Sequence, residues 1–276
     1  MKISIGFSPC PNDTFIFDAL VNGLIDTGDL ELDVHLQDVE TLNQWAVEGR
    51  LDVTKLSYGV LPEALKQYVV LNRGSALGRG VGPLLISSGN IDPLQVEEQP
   101  VAIPGRHTTA HLLFSLAYPS AQQKVFLRYD EIEQFVMDGK GLGVIIHENR
   151  FTYKHKGLMK VTDLGDFWEK ETGNPIPLGG IAVRREIDVT VARMVDDLIG
   201  ASLEYAWGRY PVLSDYIRMH AQEMGEDVMR KHIDLYVNEY SLDLGDGGRS
   251  AVQKLLSVYR EVNHINDGWP PVFIRS

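Results

Sequence analysis

The stretch ISIGFSPCPNDTFIFDALVN at residues 3–22 joins a short apolar run, Ile3 to Phe7, to a longer amphipathic run, Thr14 to Asn22. A short apolar run bounded by turn residues is typical of a buried strand, and the longer run is typical of a helix. The same order returns in two further pairs, at residues 30–36 with 39–47 and at residues 53–56 with 58–65. Successive strand–helix pairs predict an α/β fold with a largely parallel sheet.

The strand–helix pattern stops after the strand-like segment Gly82–Ser87 and begins again near residue 101. Residues 88–99 are acidic, contain proline and lack periodicity, which is typical of a linker between lobes. Beyond them, strand-like and helix-like runs alternate at residues 101–103, 108–118, 125–129, 131–137 and 142–146. The sequence therefore predicts a second lobe built from βα units.

The rest of the chain is predicted to return to the first lobe. Asn174–Gly180 is rich in turn-forming residues, and with the strand-like run after it indicates the return crossing. Asp188–Asn263 has a helical pattern, so we expect C-terminal helices packed on the first lobe. The expected architecture is a discontinuous larger lobe of residues 1–87 and 182–276 and a smaller lobe of residues 88–181, with a ligand cleft between them.

Composition limits the function classes that are open to the chain. The formal net charge is -12 and the isoelectric point is about 5.1, whereas a nucleic-acid partner or an anionic membrane would require clustered Lys and Arg. The single cysteine, Cys10, cannot form an intrachain disulfide and fits a reducing compartment. Neither the apolar run of a signal peptide nor a stretch of about 18 apolar residues is found. We therefore expect a cytoplasmic protein without membrane insertion, and a homodimer is left open.

Two polar residues recur at the same distance from a glycine, one in each predicted lobe. Ser57 follows Gly49 by 8 positions, and His147 follows Gly139 by 8 positions, each at the carboxyl end of a strand. In open α/β sheets, ligands bind in the crevice beyond the carboxyl ends of the strands. We therefore expect both side chains at the cleft. Chance is the alternative, because repeated βα geometry produces such spacings by itself.

The loop Pro104-Gly-Arg-His-Thr-Thr109 leads into the first helix of the second lobe. Helix amino termini have unpaired N–H groups and the positive end of the helix dipole. Thr108 and Thr109 are therefore candidates for holding an oxyanion with hydroxyl and backbone donors. Plain N-capping is the alternative for either threonine.

Other motifs argue against bound metals and nucleotides. Gly78-x-Gly80-x-Gly82 precedes a strand and is not a dinucleotide fingerprint. His107 and His111 have an i, i+4 spacing that suits a metal, but no third ligand is indicated. Cys10 lies between two prolines with no His-Asn arrangement around it, which favours a structural role. We predict neither a metal nor a cofactor.

Four motifs occur in order along the chain, namely Ser8-Pro-Cys-Pro-Asn-Asp-Thr-Phe15, Lys55-Leu-Ser-Tyr-Gly59, Pro104-Gly-Arg-His-Thr-Thr109 and Ile146-His-Glu148. Together they resemble the 1,4-dihydroxy-6-naphthoate synthases of the futalosine route to menaquinone, over the whole chain, and the opening octapeptide is the most specific part. The resemblance implies the two-lobed fold of type II periplasmic binding proteins. It also implies a carbon–carbon lyase that fragments cyclic dehypoxanthine futalosine, releases a sugar-derived piece and leaves the dihydroxynaphthoate.

The resemblance also implies roles for individual residues. His147 matches the proposed catalytic base of the family, which suits an imidazole at the junction of core and cleft. The resemblance places three residues around the carboxylate or polar end of the substrate: Ser57, Thr109 and Ala110. It assigns substrate binding less specifically to Asn12, Thr14 and Asn43. The position of Thr108 at the start of a helix adds it to these candidates. The implied reaction needs no cofactor, because one base in a desolvated cleft suffices when formation of an aromatic ring supplies the driving force.

Three rival interpretations share some of these features. A non-catalytic small-anion-binding protein of the same fold would normally carry an export signal, and the sensing domain of a transcription regulator would carry a helix-turn-helix domain. The sequence indicates neither. A chorismate dehydratase of the same pathway also handles a small carboxylate, but the opening motif Ser8–Asp13 favours the naphthoate synthase.

Overall fold

Residues 1–222 and 225–274 are described by the computed structural model, and their strands form two separate sheets. The strands are β1 (Lys2–Phe7), β2 (Glu31–Leu36), β3 (Val53–Ser57), β4 (Tyr68–Val70), β5 (Ala76–Gly78), β6 (Leu84–Ser87), β7 (Val101–Ile103), β8 (Lys124–Phe126), β9 (Leu142–Ile145), β10 (Met159–Asp163) and β11 (Ile176–Arg184). Residues 275 and 276, at the end of the predicted larger lobe, lie outside the described residues.

Helices cover both sheets. The α-helices are α1 (Pro11–Val21), α2 (Val39–Glu48), α3 (Leu61–Ala64), α4 (Thr109–Ala117), α5 (Ile132–Met137), α6 (Asn149–Thr152), α7 (Leu164–Thr172), α8 (Val189–Trp207), α9 (Asp215–His220), α10 (Glu226–Tyr236), α11 (Glu239–Leu242) and α12 (Gly245–Val262). Short 3₁₀ helices lie at Tyr58–Val60, Pro93–Glu98, Tyr129–Glu131 and Tyr153–Lys156. Within the two described ranges, no helix combines the length and the apolar character that a membrane span requires.

Each sheet has three neighbouring parallel strands at one side and antiparallel pairings at the other. The first sheet has the order β2-β1-β3-β11-β4, with β5 also paired to β11. In it β1 is parallel to β2 and β3, and β11 is antiparallel to its neighbours. The second sheet has the order β10-β6-β9-β7-β8, with β7 parallel to β8 and β9 and β6 antiparallel to β9 and β10. The expectation of a largely parallel sheet is therefore correct only for β2-β1-β3 and β9-β7-β8.

The chain crosses between the sheets twice, before β6 and again before β11. This arrangement confirms the two-lobed α/β architecture. The lobe boundaries expected at residues 87 and 182 stay a prediction. We propose crossings slightly earlier, because Leu84–Ser87 pairs within the second sheet and Ile176–Gly180 pairs within the first.

The C-terminal helices pack on the first sheet, as expected. Helix α1 contacts α8, α9 and α10, and Phe15, Ile199 and Ile233 belong to one buried apolar cluster. Burying each such side chain contributes about 1.5–3 kcal/mol. This packing fixes α1, and with it the loop before α1 that enters the cleft.

The segment Asn174–Gly180, expected to be the return crossing, is mostly strand. Strand β11 begins at Ile176 and pairs with β5 through Pro177, with an irregularity in register between Pro177 and Gly179. Its pairing with β3 begins only at Gly179, so Pro177 lies outside that ladder. Proline is tolerated in strands at such positions.

Candidate active site

A cavity of about 100 Å³ lies between the lobes, and both lobes contribute to its wall. The larger lobe contributes the loop before α1, the end of β3 and part of α10. The smaller lobe contributes the start of α4 and the residues after β9. Ser57 and His147, which share their spacing from a glycine in the sequence, both lie in this wall. Ligands of α/β proteins commonly bind in such a crevice at the ends of strands.

A buried ion pair forms the floor of the cavity on the side of the larger lobe. Asp13 Oδ1 lies 2.9 Å from Lys55 Nζ, and the two side chains are 3% and 6% exposed. Ser8 Oγ donates to Asp13 Oδ2 (2.7 Å), and Lys55 Nζ donates to the carbonyl of Gly74 (3.1 Å). Because Pro11 starts α1 directly after the loop, these bonds hold the loop in one conformation against β3.

Asn12, Thr14 and Asn43, the less specific candidates for substrate binding, lie in different surroundings. Asn12 lines the cavity, donates to Asp13 Oδ1 (2.9 Å) and leaves its buried Oδ1 without a partner among the described residues. Thr14 is fully buried, and its hydroxyl donates to the carbonyl of Cys10 (3.1 Å). Asn43 lies behind Ser57: its amide donates to Ser57 Oγ (3.0 Å) and its Oδ1 accepts from Ser57 N (2.8 Å). Asn12 is thus the one of the three that the structure brings to the cavity wall.

The start of α4 faces the cavity with Thr108, Thr109 and Ala110. Thr108 is the N-cap, because its hydroxyl accepts from the backbone N–H of His111 (3.2 Å). Thr109 has another role: its hydroxyl accepts from Gly59 N (2.9 Å) and donates to the carbonyl of Leu178 (2.7 Å), so it joins the two lobes. The first N–H groups of a helix have no intrahelical acceptor, so this end of α4 can bind an anion.

His147 occupies a strained backbone position next to the cavity. Its φ is 56°, the left-handed region, and its Nδ1 lies 3.5 Å from Cys10 Sγ. The residue keeps some exposure, but its Nε2 is buried and has no hydrogen-bond partner among the described residues. Burial lowers the pKa of His147 to about 4, and the nearby carboxylate of Glu148 opposes this effect. The imidazole is therefore neutral near pH 7 and can accept a proton.

Two residues without a predicted role lie beside His147. Glu148 is 3% exposed and His232 is 0% exposed. Neither side chain forms a hydrogen bond with any of the described residues. Their closest approach is 3.5 Å, between Glu148 Oε2 and His232 Nδ1. Burial raises the pKa of Glu148, but the interaction of its carboxylate with His232, and to a smaller extent with His147, outweighs burial and lowers the pKa to about 2. Leaving a buried polar group unpaired costs about 1–3 kcal/mol, so this cluster requires a functional explanation.

The potential metal ligands fall into two groups. Cys10, His147 and Glu148 each bring one ligand atom to within 4.8 Å of the others. The i, i+4 histidines noted in the sequence each have another partner. His107 Nδ1 lies 2.8 Å from Glu40 Oε1, and His111 Nδ1 lies 2.7 Å from the carbonyl of Arg106. We therefore assign no metal to the i, i+4 histidines.

Sequence reasoning missed His232, Lys55 and Asp13 as parts of the site. His232 lies on the buried face of α10 with Met229, Ile233 and Tyr236, and a polar residue on such an apolar face is a weak signal. Lys55 lies in a strand whose side chains are all buried. A lysine there needs a buried partner, and this signal was available from the sequence.

The site therefore has two chemically distinct ends. The start of α4, with Ser57 across from it, offers donors for a carboxylate. His147 brings a partly buried imidazole with a lowered pKa to the cavity wall. This arrangement suits proton abstraction from a bound small anion.

Comparisons with known proteins agree over almost the whole chain. The family model described as menaquinone biosynthesis matches residues 3–261. A 1,4-dihydroxy-6-naphthoate synthase from Thermus thermophilus is 48% identical over 257 residues, which cover 92% of this chain and 93% of that one. A relative of the same name from Streptomyces coelicolor is 42% identical over 261 residues, with 92% of each chain covered.

Solved structures give the same fold. A protein from Archaeoglobus fulgidus superposes with a TM-score of 0.89 at 29% identity and covers 96% of this chain and 98% of its own. An alkanesulfonate-binding protein from Xanthomonas axonopodis gives 0.70 at 9% identity over 99% and 96% of the chains. A Candida albicans protein with the generic periplasmic binding protein fold gives 0.67 at 12% identity over 97% and 92%. The type II periplasmic-binding-protein-like fold is confirmed, and by its family model and its relatives the chain belongs to the menaquinone biosynthesis family.

Proposed function

We propose that this protein is a 1,4-dihydroxy-6-naphthoate synthase, a carbon–carbon lyase that acts on cyclic dehypoxanthine futalosine in menaquinone biosynthesis. The observation that carries the proposal is the neutral imidazole of His147, whose Nε2 has no hydrogen-bond partner among the described residues, in a cavity between two lobes. Relatives that bear this enzyme name at 48% and 42% identity support it. The product leaves as an aromatic dihydroxynaphthoate, and the sugar-derived fragment is released.

The proposed mechanism uses positioning and one base. His147 accepts a proton from the bound substrate, and a retro-aldol-like cleavage of a carbon–carbon bond follows. Formation of the aromatic ring supplies the driving force. Proton transfer to a positioned side chain contributes about 10²–10⁴ in rate, and exclusion of water by the closed lobes strengthens every polar contact in the site.

The proposed anchor for the substrate carboxylate is the start of α4 with Ser57. Thr109 and Ala110 line the cavity at the first turn of α4, whose N–H groups have no intrahelical acceptor, and the hydroxyl of Ser57 is oriented by Asn43. A carboxylate there also meets the positive end of the helix dipole. Asn12 adds an unpaired acceptor for a hydroxyl group of the substrate.

The proposal includes a cytoplasmic location, in agreement with a single cysteine that is buried and unpaired. It includes neither a nucleic-acid partner nor membrane insertion, given the net charge of -12. A homodimer stays a prediction.

A direct assay tests the proposed function. Purified protein is incubated with cyclic dehypoxanthine futalosine, and dihydroxynaphthoate is followed by absorbance and by mass. We expect product to accumulate in proportion to enzyme. A parallel incubation with chorismate distinguishes the dehydratase of the same fold: conversion of chorismate with no dihydroxynaphthoate in the first reaction would overturn the proposal, as would binding of the substrate without turnover.

Replacing Thr109 by valine is expected to raise KM about tenfold. The change removes the hydroxyl that joins Thr109 to Gly59 N and Leu178 O of the other lobe, and a partly buried N–H then loses its acceptor, at a cost toward the lower end of about 1–3 kcal/mol. Because 1.4 kcal/mol corresponds to a factor of ten, steady-state kinetics resolves the effect. Thr109→Ser keeps the hydroxyl and should behave like the unmodified protein. An unchanged KM in the valine variant would limit Thr109 to helix packing.

A further inference from the structure

Glu148 is a buried carboxylate close to the proposed base. One of its oxygens lies within 4.8 Å of a ring nitrogen of His147, and Oε2 lies 3.5 Å from His232 Nδ1. The rings of His147 and His232 are nearly parallel, with 21° between their planes and 6.1 Å between their centroids. His147 and His232 line the described cavity wall, and Glu148 lies behind it. Glu148 can therefore act on the substrate only through its neighbours.

Other titratable and charged groups face this cluster from the surrounding elements. They are Cys10 before α1, Asp13 in α1, Lys55 in β3, Tyr129 before α5, and Tyr236 with His232 in α10. Asp13 and Lys55 form an ion pair and largely cancel each other.

Three of the remaining neighbours are neutral at physiological pH. Burial raises the pKa of Cys10, Tyr129 and Tyr236, so all three keep their protons. Among the described groups around His147, Glu148 is thus the one negative charge that no lysine or arginine already neutralises.

We propose that Glu148 is a positioning residue, whose carboxylate supplies the counter-charge when His147 takes a proton from the substrate while His232 holds the carboxylate from its other side. The inference rests on the proposed function, because it assigns His147 the role of base. A proton that arrives on a buried imidazole creates a charge that water cannot stabilise. A carboxylate already in place stabilises that charge without reorganisation. This role also explains why Glu148 and His232, which face each other without a close hydrogen bond among the described residues, are kept next to the cavity.

The first test measures the protonation of His147 itself, in ligand-free protein labelled with ¹⁵N. Ring nitrogen shifts are followed with pH by NMR and assigned with His147→Asn. In the unmodified protein we expect His147 to be about half protonated near pH 4. In Glu148→Gln we expect titration at least about one pH unit lower, so the ring stays neutral at pH 4. Glu148→Asp keeps the charge and should give an intermediate result.

A matched control separates this effect from the general loss of a buried carboxylate. Glu133 is 2% exposed in the same lobe, but it has its own partners, Lys156 Nζ at 2.6 Å and Asn149 Nδ2 at 2.7 Å. Glu133→Gln should therefore leave the titration of His147 unchanged. An equal titration of His147 in Glu148→Gln and in unmodified protein would overturn the proposal.

Kinetics supplies a second readout. We expect Glu148→Gln to lower kcat about tenfold or more with little change in KM, and Glu148→Asp to recover part of the loss. A rise in KM with normal kcat would also overturn the proposal, because it would mark Glu148 as a packing or binding residue. The NMR measurement uses no substrate, so a failure of the proposed activity leaves its result standing and the two failures stay distinguishable.

Discussion

The variant His147→Asn is expected to fold and bind ligand normally while its turnover falls by at least about 10²-fold. Asparagine is the suitable replacement because His147 has a φ of 56°, a region that asparagine tolerates better than most residues. His147→Ala should show the same loss of turnover with an added cost in stability from the backbone. Measurements of kcat, of product binding by calorimetry and of urea unfolding separate these effects.

The control for this prediction is a histidine of the same lobe outside the cavity. His155 is exposed in the 3₁₀ helix Tyr153–Lys156, so His155→Asn should have normal turnover. Turnover close to normal in His147→Asn would remove His147 from the mechanism. In that case the proton acceptor would have to be sought elsewhere in the cavity wall.

The pH dependence of the unmodified enzyme gives an independent check on the same residue. A base must be unprotonated, and burial lowers the pKa of His147 to about 4. Activity is therefore retained as pH falls through neutrality and is lost only on approach to about pH 4. With the ordinary histidine pKa of about 6.5, half of the activity would already be lost at about pH 6.5. A midpoint of kcat/KM near 6.5 would show that the imidazole is more solvated in the working enzyme than its burial indicates.

The sequence was most informative where a local pattern has a single physical meaning. Apolar runs followed by amphipathic runs predicted β1, β3, β7 and β9 to within a residue or two, because a buried strand must be apolar. By contrast, β10 and α7 were not predicted. Their side chains are half-buried and polar over much of their length, so periodicity was weak, although Asp163 caps α7 by accepting from Gly165 N and Asp166 N.

The site was predictable only in part, since most of its contacts join distant segments. The position of His147 follows from the end of an apolar strand, and the N-cap role of Thr108 follows from the start of a helix. The bridge from Thr109 to Gly59 and Leu178, and the approach of His232 to Glu148, depend on how the lobes and α10 pack. No spacing in the sequence specifies such contacts.

Replacing Asp13 by asparagine is expected to lower the free energy of unfolding by about 3–5 kcal/mol. The change leaves the ammonium of Lys55, whose side chain is 6% exposed, with the carbonyl of Gly74 as its remaining partner. An unpaired charge in this surrounding is far more costly than the loss of one hydrogen bond. Urea unfolding at neutral pH measures the effect.

The reverse replacement is expected to be milder, which provides the control. In Lys55→Met, Asp13 keeps the hydroxyl of Ser8 and the amide of Asn12 as donors, so its charge remains partly stabilised. The double variant Asp13→Asn with Lys55→Met removes both charges at similar volume, and it should be more stable than Asp13→Asn alone. If the double variant is instead as unstable as the single one, the cost comes from the lost bonds to Ser8 rather than from the unpaired lysine. The ion pair would then matter to the loop before α1 only through its hydrogen bonds.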